Sequence, residues 1–438
     1  MRYNSSGPLR MLLIYVHSSS ERMKYTFDFV FRDRDIEYAL TSDPSIFRKH
    51  SGPRLNYSSE NIDDSAQIIP SPILFDEGTH VYGIDKGEFC EEECLAINGK
   101  MDPPGAIFYV LSRMEEYNSK ILDKHGRFPA SNSVLYRFKW LDRAVCDRWA
   151  EAVIRFVGMH GIEIRRIRPA FRMVPTFDID NTYAYKLKGG LRHWLAISKD
   201  ILKGRAQRIL EREQVIYGGQ KDPYDTYDQI LELTTKGFEP VLFWLLGDFT
   251  KFDRNVSYKN KKHRMLIQKL SKEVQIGIHP SYKSNSYEFF LNHEKERLED
   301  ITGKEVDHSR QHFLKVHLPY TLQHLETAEI RHEYSMGYPD HYGFRSGTAR
   351  PHLWFDLEFN RVSKLTLHPF AYMDGTLHDY MKMKPEEAKD IILRLVKEVK
   401  TFGGDFVFIW HNETIGGYGK WTGWKEVFEY TLSLNEHE

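Results

Sequence analysis

The sequence predicts an α/β protein in two parts: a distorted (β/α) barrel over residues 168–438, preceded by a smaller α/β domain over residues 1–167. Three observations predict it. The chain has 438 residues, more than one hydrophobic core usually organises. Beyond Met173, apolar runs of strand length alternate with helical patterns, as an α/β fold requires. Three of those runs end on residues able to do chemistry, which is how a barrel with its site at one mouth reads.

In the first part, "MLLIYV" and "AQIIPSPILF" read as strands. "GAIFYVLSRMEEYNSK" spaces Ile107, Val110, Leu111 and Met114 as one face of a helix. "VCDRWAEAVIRFVGMHG" is a second helix that stops at Gly161, and "IEIRRIRPAFRM" is the connection into the second part. There "MVPTF", "EPVLFWLL", "EVQIGI" and "DFVFIW" are the expected strands. "KPEEAKDIILRLVKEVKTFGG" is a helix opened by Pro385, buried along Ile391, Ile392, Leu395, Val396 and Val399, and ended by Gly403-Gly404. The basic stretch Lys186–Arg212 has two readings, a membrane-surface helix or a solvated helix whose apolar stripe faces the core; the second is expected.

Composition narrows the function classes. A net charge of −1 gives no global electrostatic reason to bind nucleic acid or an anionic membrane. Three cysteines, Cys90, Cys94 and Cys146, argue against a disulfide framework, and "CEEEC" has no second pair to make a zinc site. The apolar run near the start is only six residues long, too short for a signal or a transmembrane segment, so a cytoplasmic location is expected. Aromatic residues make up 14% of the chain, and most are expected in the core.

The strand ends carry the chemistry. "MVPTF" runs into Asp178 and Asp180, "EVQIGI" into His279, and "DFVFIW" into His411. Residues two apart on an extended chain point to the same side. One aspartate can then hold a divalent ion while the other takes a proton from water, with His279 a second ligand. His411 suits a general acid, because imidazole titrates near neutral pH. Each histidine has the plainer reading of a structural residue; together they point to a site.

These motifs resemble those of the polysaccharide deacetylases of NodB homology, a carbohydrate esterase family. "TFDID" is similar to their TFDDG, "IGIHP" to the start of H-S/T-x-x-H, "SRQHFLK" to the arginine motif and "FIWHNE" to the last histidine motif. The resemblance runs from about Pro169 to Leu434 and implies a NodB-like barrel. It implies Asp178 as base, Arg310 as its orienting cation, Asp180 and His279 as metal ligands, and His411 as acid. Lys283 stands where the family's second histidine belongs, so His312 is expected as third ligand, with Ser284 or solvent as the substitute. Arg345, Trp410 and Asn412 are expected to contact substrate. Arg345, in "YGFRSGT", is also a rival for the orienting role, or belongs to a turn with a surface salt bridge. The implied cofactor is a divalent metal, zinc first, with Co, Mn or Ni as alternatives. The implied reaction is hydrolysis of an N- or O-acetyl group on a polysaccharide or glycan precursor.

Two other readings stand beside it. "FDIDNT" also fits D-x-D-x-T of haloacid-dehalogenase-type phosphatases, in which the first aspartate attacks phosphorus, with "GDFTKFD" as the later acidic motif. That scheme leaves His279, His312 and His411 without work. The third reading is a degenerate NodB-like protein that binds glycans without cleaving them.

Overall fold

The computed structural model describes residues 11–436 apart from 162, 163, 165 and 189. The first ten residues, and three positions of the connecting "IEIRRIRPAFRM", lie outside the described residues.

The first part builds a parallel sheet from β1 (Leu12–Tyr15), β2 (Tyr38–Thr41), β3 (Arg54–Asn56) and β4 (Ala66–Gln67), in the order β2-β1-β3-β4. β5 (Ile84–Phe89), β6 (Glu92–Ile97) and β7 (Lys100–Met101) form a separate antiparallel sheet. Helices α1 (Pro103–Leu111) and α2 (Val145–Met159) close the core. Only the start of "AQIIPSPILF" is a strand. Pro70 and Pro72 cannot donate to a ladder, and Pro72–Leu74 turns as a 3₁₀ helix instead. The single helix expected from Gly105 onward starts at Pro103 and breaks at Arg113, whose φ is 55°. Asp102 caps it by accepting from the Gly105 N–H at 3.1 Å.

The second part is one nine-stranded sheet with the order β13-β14-β12-β11-β10-β9-β8-β16-β15. In chain order its strands, with four of its helices, are β8 (Phe171–Ile179), α3 (Leu191–Leu202), α4 (Ala206–Ile216), β9 (Val241–Trp244), α5 (Lys261–Leu270), β10 (Gln275–Ile278), β11 (His308–Ser309), β12 (His332–Glu333), β13 (His352–Asp356), β14 (Arg361–Leu367), β15 (Phe370–Met373), α6 (Pro385–Phe402) and β16 (Gly404–His411). Every pair is parallel except β13–β14. The end strands β13 and β15 are not paired with each other, so the barrel is left open between them. Alternation along β8 sorts its side chains. Val174 faces an inner cluster with Val241, Phe243, Phe370 and Ile409, while Phe177 and Ile179 face the outer core. The buried face of α6 is the one the sequence predicts: Ile391, Ile392, Leu395, Val396 and Val399 are all buried. The Lys186–Arg212 stretch departs from expectation. Trp194, Leu195, Ile201 and Leu202 do not face the core but lie exposed.

Buried charge joins the two parts. Arg345, 1% exposed, donates from Nε to Glu116 Oε1 at 2.9 Å and from Nη1 to the Gly337 carbonyl at 3.1 Å, and its Nη2 pairs with Glu116 Oε2. Arg113 donates to the same Glu116 at 2.7 Å. Arg345 is therefore neither a substrate contact nor a surface salt bridge. It is a clasp, and removing it strands part of the Glu116 charge in the interior. Arg345→Ala should lower the unfolding free energy by about 3 kcal/mol, seen in a denaturant titration; an unchanged midpoint would refute the clasp.

Candidate active and metal site

Register sets the geometry. β8 and β16 pair in parallel from Phe171↔Gly404 to Asp178↔His411, so the first aspartate lies directly opposite the last histidine. Asp180 follows two residues on and points to the same side. β10 leads directly into His279, whose backbone N–H donates to the Trp244 carbonyl at 2.9 Å. Beyond β11 come Arg310 and His312, and beyond β15 comes Asp374. Five strand ends thus meet around a cleft of about 280 Å³. A larger depression of about 550 Å³ lies at the opposite ends of the strands, near Arg172, His308 and His368, and contains none of these groups.

Within the cleft, Asp180, His279 and His312 bring donor atoms within 4.8 Å of one another. His279 Nε2 stands 3.2 Å from Asp180 Oδ1, and His312 Nε2 stands 3.5 Å from Asp180 Oδ2. The His279 Nδ1–H donates to the Arg310 carbonyl at 2.5 Å. A carbonyl can only accept, so the proton sits on Nδ1 and the Nε2 lone pair faces the carboxylate. Asp180 Oδ1 is accordingly a buried oxygen with no hydrogen-bond partner. A lone pair opposed to a carboxylate in the interior is a place for a cation. His312 is anchored in the same way, Nδ1 to Asp253 Oδ1 at 2.9 Å, and Asp253 accepts from the Tyr282 N–H and the Thr250 hydroxyl. Burial opposes ionisation at both ends of the Asp180–His312 pair, but the pairing outweighs it. Asp180 is held well below the usual carboxylate range, chiefly by His312, and His312 is raised to about 9 by Asp180 and Asp253.

The other two groups are held from behind. Arg310, fully buried, donates from Nη1 to Asp178 Oδ1 at 2.9 Å and from Nε to the Tyr334 carbonyl at 3.1 Å, and its guanidinium lies 4.5 Å over the Phe243 ring. His411 Nδ1 lies 2.9 and 3.1 Å from the two oxygens of Asp374, with Nε2 toward the cleft, 3.9 Å from Asp180 Oδ2. Burial alone would lower the His411 pKa, but the Asp374 charge raises it well above the usual histidine value.

The structure brings together Asp178, Asp180, His279, Arg310, His312 and His411. It does not bring in Trp410, Asn412 or Arg345. Trp410 alternates away from His411 and is fully buried, its ring 5.2 Å from that of Phe428. Asn412, also fully buried, donates to the Asn181 and Tyr224 carbonyls at 3.0 Å each, so it braces the loop beyond Asp180 from below. Lys283 turns away to sit 4.0 Å over the Phe290 ring, and Ser284 is engaged with the Ser281 hydroxyl at 2.6 Å.

Three further residues matter to the site. Asp374 ends "HPFAYMD", a fourth strand delivering a polar residue, and that pattern was there to be read. Asp253 lies in "GDFTKFD", where its acidity suggested a different chemistry. Arg127 comes from the first part, and nothing local in "HGRF" foretells it. Its Nη1 donates to the Phe313 carbonyl at 2.7 Å, and its Nε to Asp123 at 2.8 Å. Phe313 and Leu314 both hold positive φ, 62° and 51°, a conformation costing non-glycine residues roughly 1 kcal/mol or more each. Arg127 pins the tight turn that aims His312.

Residues 12–159 match the profile of a family of unknown function (DUF7033). No curated protein matches the chain. Among solved structures, a presumptive polysaccharide deacetylase of Mycobacterium smegmatis is similar at 14% identity, over 60% of this chain and 83% of that one, with a TM-score of 0.39. The polysaccharide deacetylase Bc1974 of Bacillus cereus is similar at 12% identity, over 59% and 88%, with a TM-score of 0.27. These values assign no family.

Asp253→Ala and Arg127→Ala leave all three donors in place but loosen His312. Each should weaken Zn²⁺ or Co²⁺ affinity by about 10-fold or more, measured by titration calorimetry. Affinity equal to the wild type in both would show that His312 is not a ligand.

Proposed function

We propose that the protein is a metal-dependent hydrolase that removes an N- or O-acetyl group from a saccharide. Residues 168–438 form its catalytic domain, and residues 1–167 form a companion that braces the cleft. The observation that carries this reading is the convergence of an Asp-His-His donor set, an arginine-held aspartate and an aspartate-held histidine in one cleft. Asp180, His279 and His312 would hold the ion, and one oxygen with two imidazoles suits zinc first, with Co, Mn or Ni able to substitute. A divalent ion there supplies Lewis acidity to water and to the carbonyl of the acyl group.

The chain's own groups do the rest. Arg310 occupies Asp178 Oδ1, leaving Oδ2 to take a proton from the attacking water. As the new C–O bond forms and the C–N or C–O bond to the sugar breaks, His411 gives its Nε2 proton to the departing nitrogen or oxygen. Acetate and a free amine or hydroxyl are the products. Leu245, Leu314 and Met373 line the same cleft and suit an acyl methyl, while Phe252, Phe313 and Tyr380 offer rings for a sugar face.

The phosphatase reading fits this arrangement less well. Asp248 is exposed and pairs with Arg297 at 3.2 Å, and Asp253 is committed to His312, so neither acid of that motif joins the two aspartates to make an oxygen site for magnesium.

Acetate release from acetylated oligosaccharides, read beside bound-metal content, tests the proposal. Asp178→Asn should abolish turnover, by about 10³-fold or more, and keep the ion. His411→Ala should lower kcat by about 10²–10⁴-fold, also with the ion retained. Asp180→Asn should lose both ion and activity; full activity in that variant would overturn the assignment. A wild type that binds the ion and saccharide but releases no acetate would instead favour the glycan-binding reading.

A further inference from the structure

The hairpin that follows Asp180 carries surface that catalysis does not use. On α3, Trp194, Leu195, Ile201 and Leu202 are 66%, 60%, 62% and 87% exposed. On a helix of 3.6 residues per turn these positions fall within about 120° of arc, an apolar face interrupted only by the small Ser198 among the described side chains. What α3 turns inward is charge: buried Asp200 pairs with Arg212 of α4 at 3.2 Å. Leu210 and Tyr217, at 58% and 75%, add apolar surface nearby. A helix with its ion pair inside and its tryptophan and leucines outside is inverted relative to one that serves its own core.

The surrounding charge is one-sided. Lys186–Arg212 holds eight Lys and Arg against two Asp and Glu, in a chain whose net charge is −1. Beside α3 lies a groove of about 830 Å³, lined by Lys186, Lys188, Lys261 and Lys262 together with Tyr185 and Trp194, with no carboxylate side chain on its walls among the described residues.

We infer that this hairpin docks the protein peripherally on an anionic lipid bilayer. The apolar arc of α3 enters the interface, Trp194 sits at headgroup depth, and the groove lysines meet lipid phosphates. A second copy of the chain could cover the apolar arc, but it would bring the groove lysines of one copy up against those of the other. Lys188 donates to Asn181 Oδ1 at 3.4 Å, one residue past Asp180, so the docked surface is the rim of the cleft. If the deacetylase reading holds, this places the site where a saccharide on a lipid carrier would be presented; the docking itself does not depend on that reading.

Vesicle co-sedimentation of the full chain tests docking without reference to activity. Equimolar phosphatidylglycerol–phosphatidylcholine vesicles should bind the protein about 10-fold or more tightly than phosphatidylcholine alone, and raised salt should weaken the difference. Leu195→Ser with Leu202→Ser should remove most of that binding while leaving the thermal unfolding midpoint unchanged, since both side chains are exposed. Lys261→Glu with Lys262→Glu should do the same through charge. Equal binding to the two vesicle types, or none, would overturn the inference. So would a wild-type dimer in sedimentation equilibrium that the leucine variant dissociates, which would give the face to self-association.

Discussion

The register between β8 and β16 is the constraint on which the rest of the site depends. Their parallel pairing, from Phe171↔Gly404 to Asp178↔His411, fixes Asp178 and His411 side by side at the mouth. Side chains alternate with period two, so a slip of one residue would turn Asp178 and Asp180 into the outer core and expose Phe177. The register is secured by burial on both faces. Val174 meets the inner cluster, while Phe177 and Ile179 meet the large outer one, and each would be lost in the slipped pairing. The stability of the sheet and the position of the chemistry therefore share one cause.

Around that frame the groups facing the cleft are held by partners behind them. His279 is fixed by the Arg310 carbonyl, His312 by Asp253, and His411 by Asp374. In each case Nδ1 is occupied and Nε2 is directed inward, the arrangement that makes an imidazole a ligand or a proton donor rather than a mobile side chain. Arg310 serves twice, its guanidinium fixing Asp178 and its carbonyl fixing His279. The first part of the chain adds Arg127, so the His312 turn is completed by a residue remote in sequence.

Much of this was legible in the sequence because strands that end on Asp, His and His carry their own period and punctuation. Asp178, Asp180, His279 and His411 follow from that pattern, and Arg310 and His312 from motif order. The misreadings have physical causes. Trp410 and Asn412 are neighbours of His411 in the chain, yet alternation sends the tryptophan outward and the next residue begins a helical turn. Arg345 sits in a glycine-rich loop that looks exposed, but its partner Glu116 is more than two hundred residues earlier, and no local pattern reports such a pair. The apolar stripe of α3 has the period of a core helix; only the tertiary arrangement decides which side faces protein. Asp374 and Asp253 are legible as acidic residues near turns, but their histidine partners are set by strand order.

The proposed chemistry requires that Asp180, His279 and His312 hold one divalent ion beside Asp178 and His411. X-ray anomalous maps from zinc-soaked crystals, collected on both sides of the metal edge, test it most directly. One strong peak is expected, bonded to a carboxylate oxygen of Asp180 and to Nε2 of both histidines. A peak held by Asp178 and Asp180 with His279 and His312 remote, or no peak in the cleft at all, would contradict it.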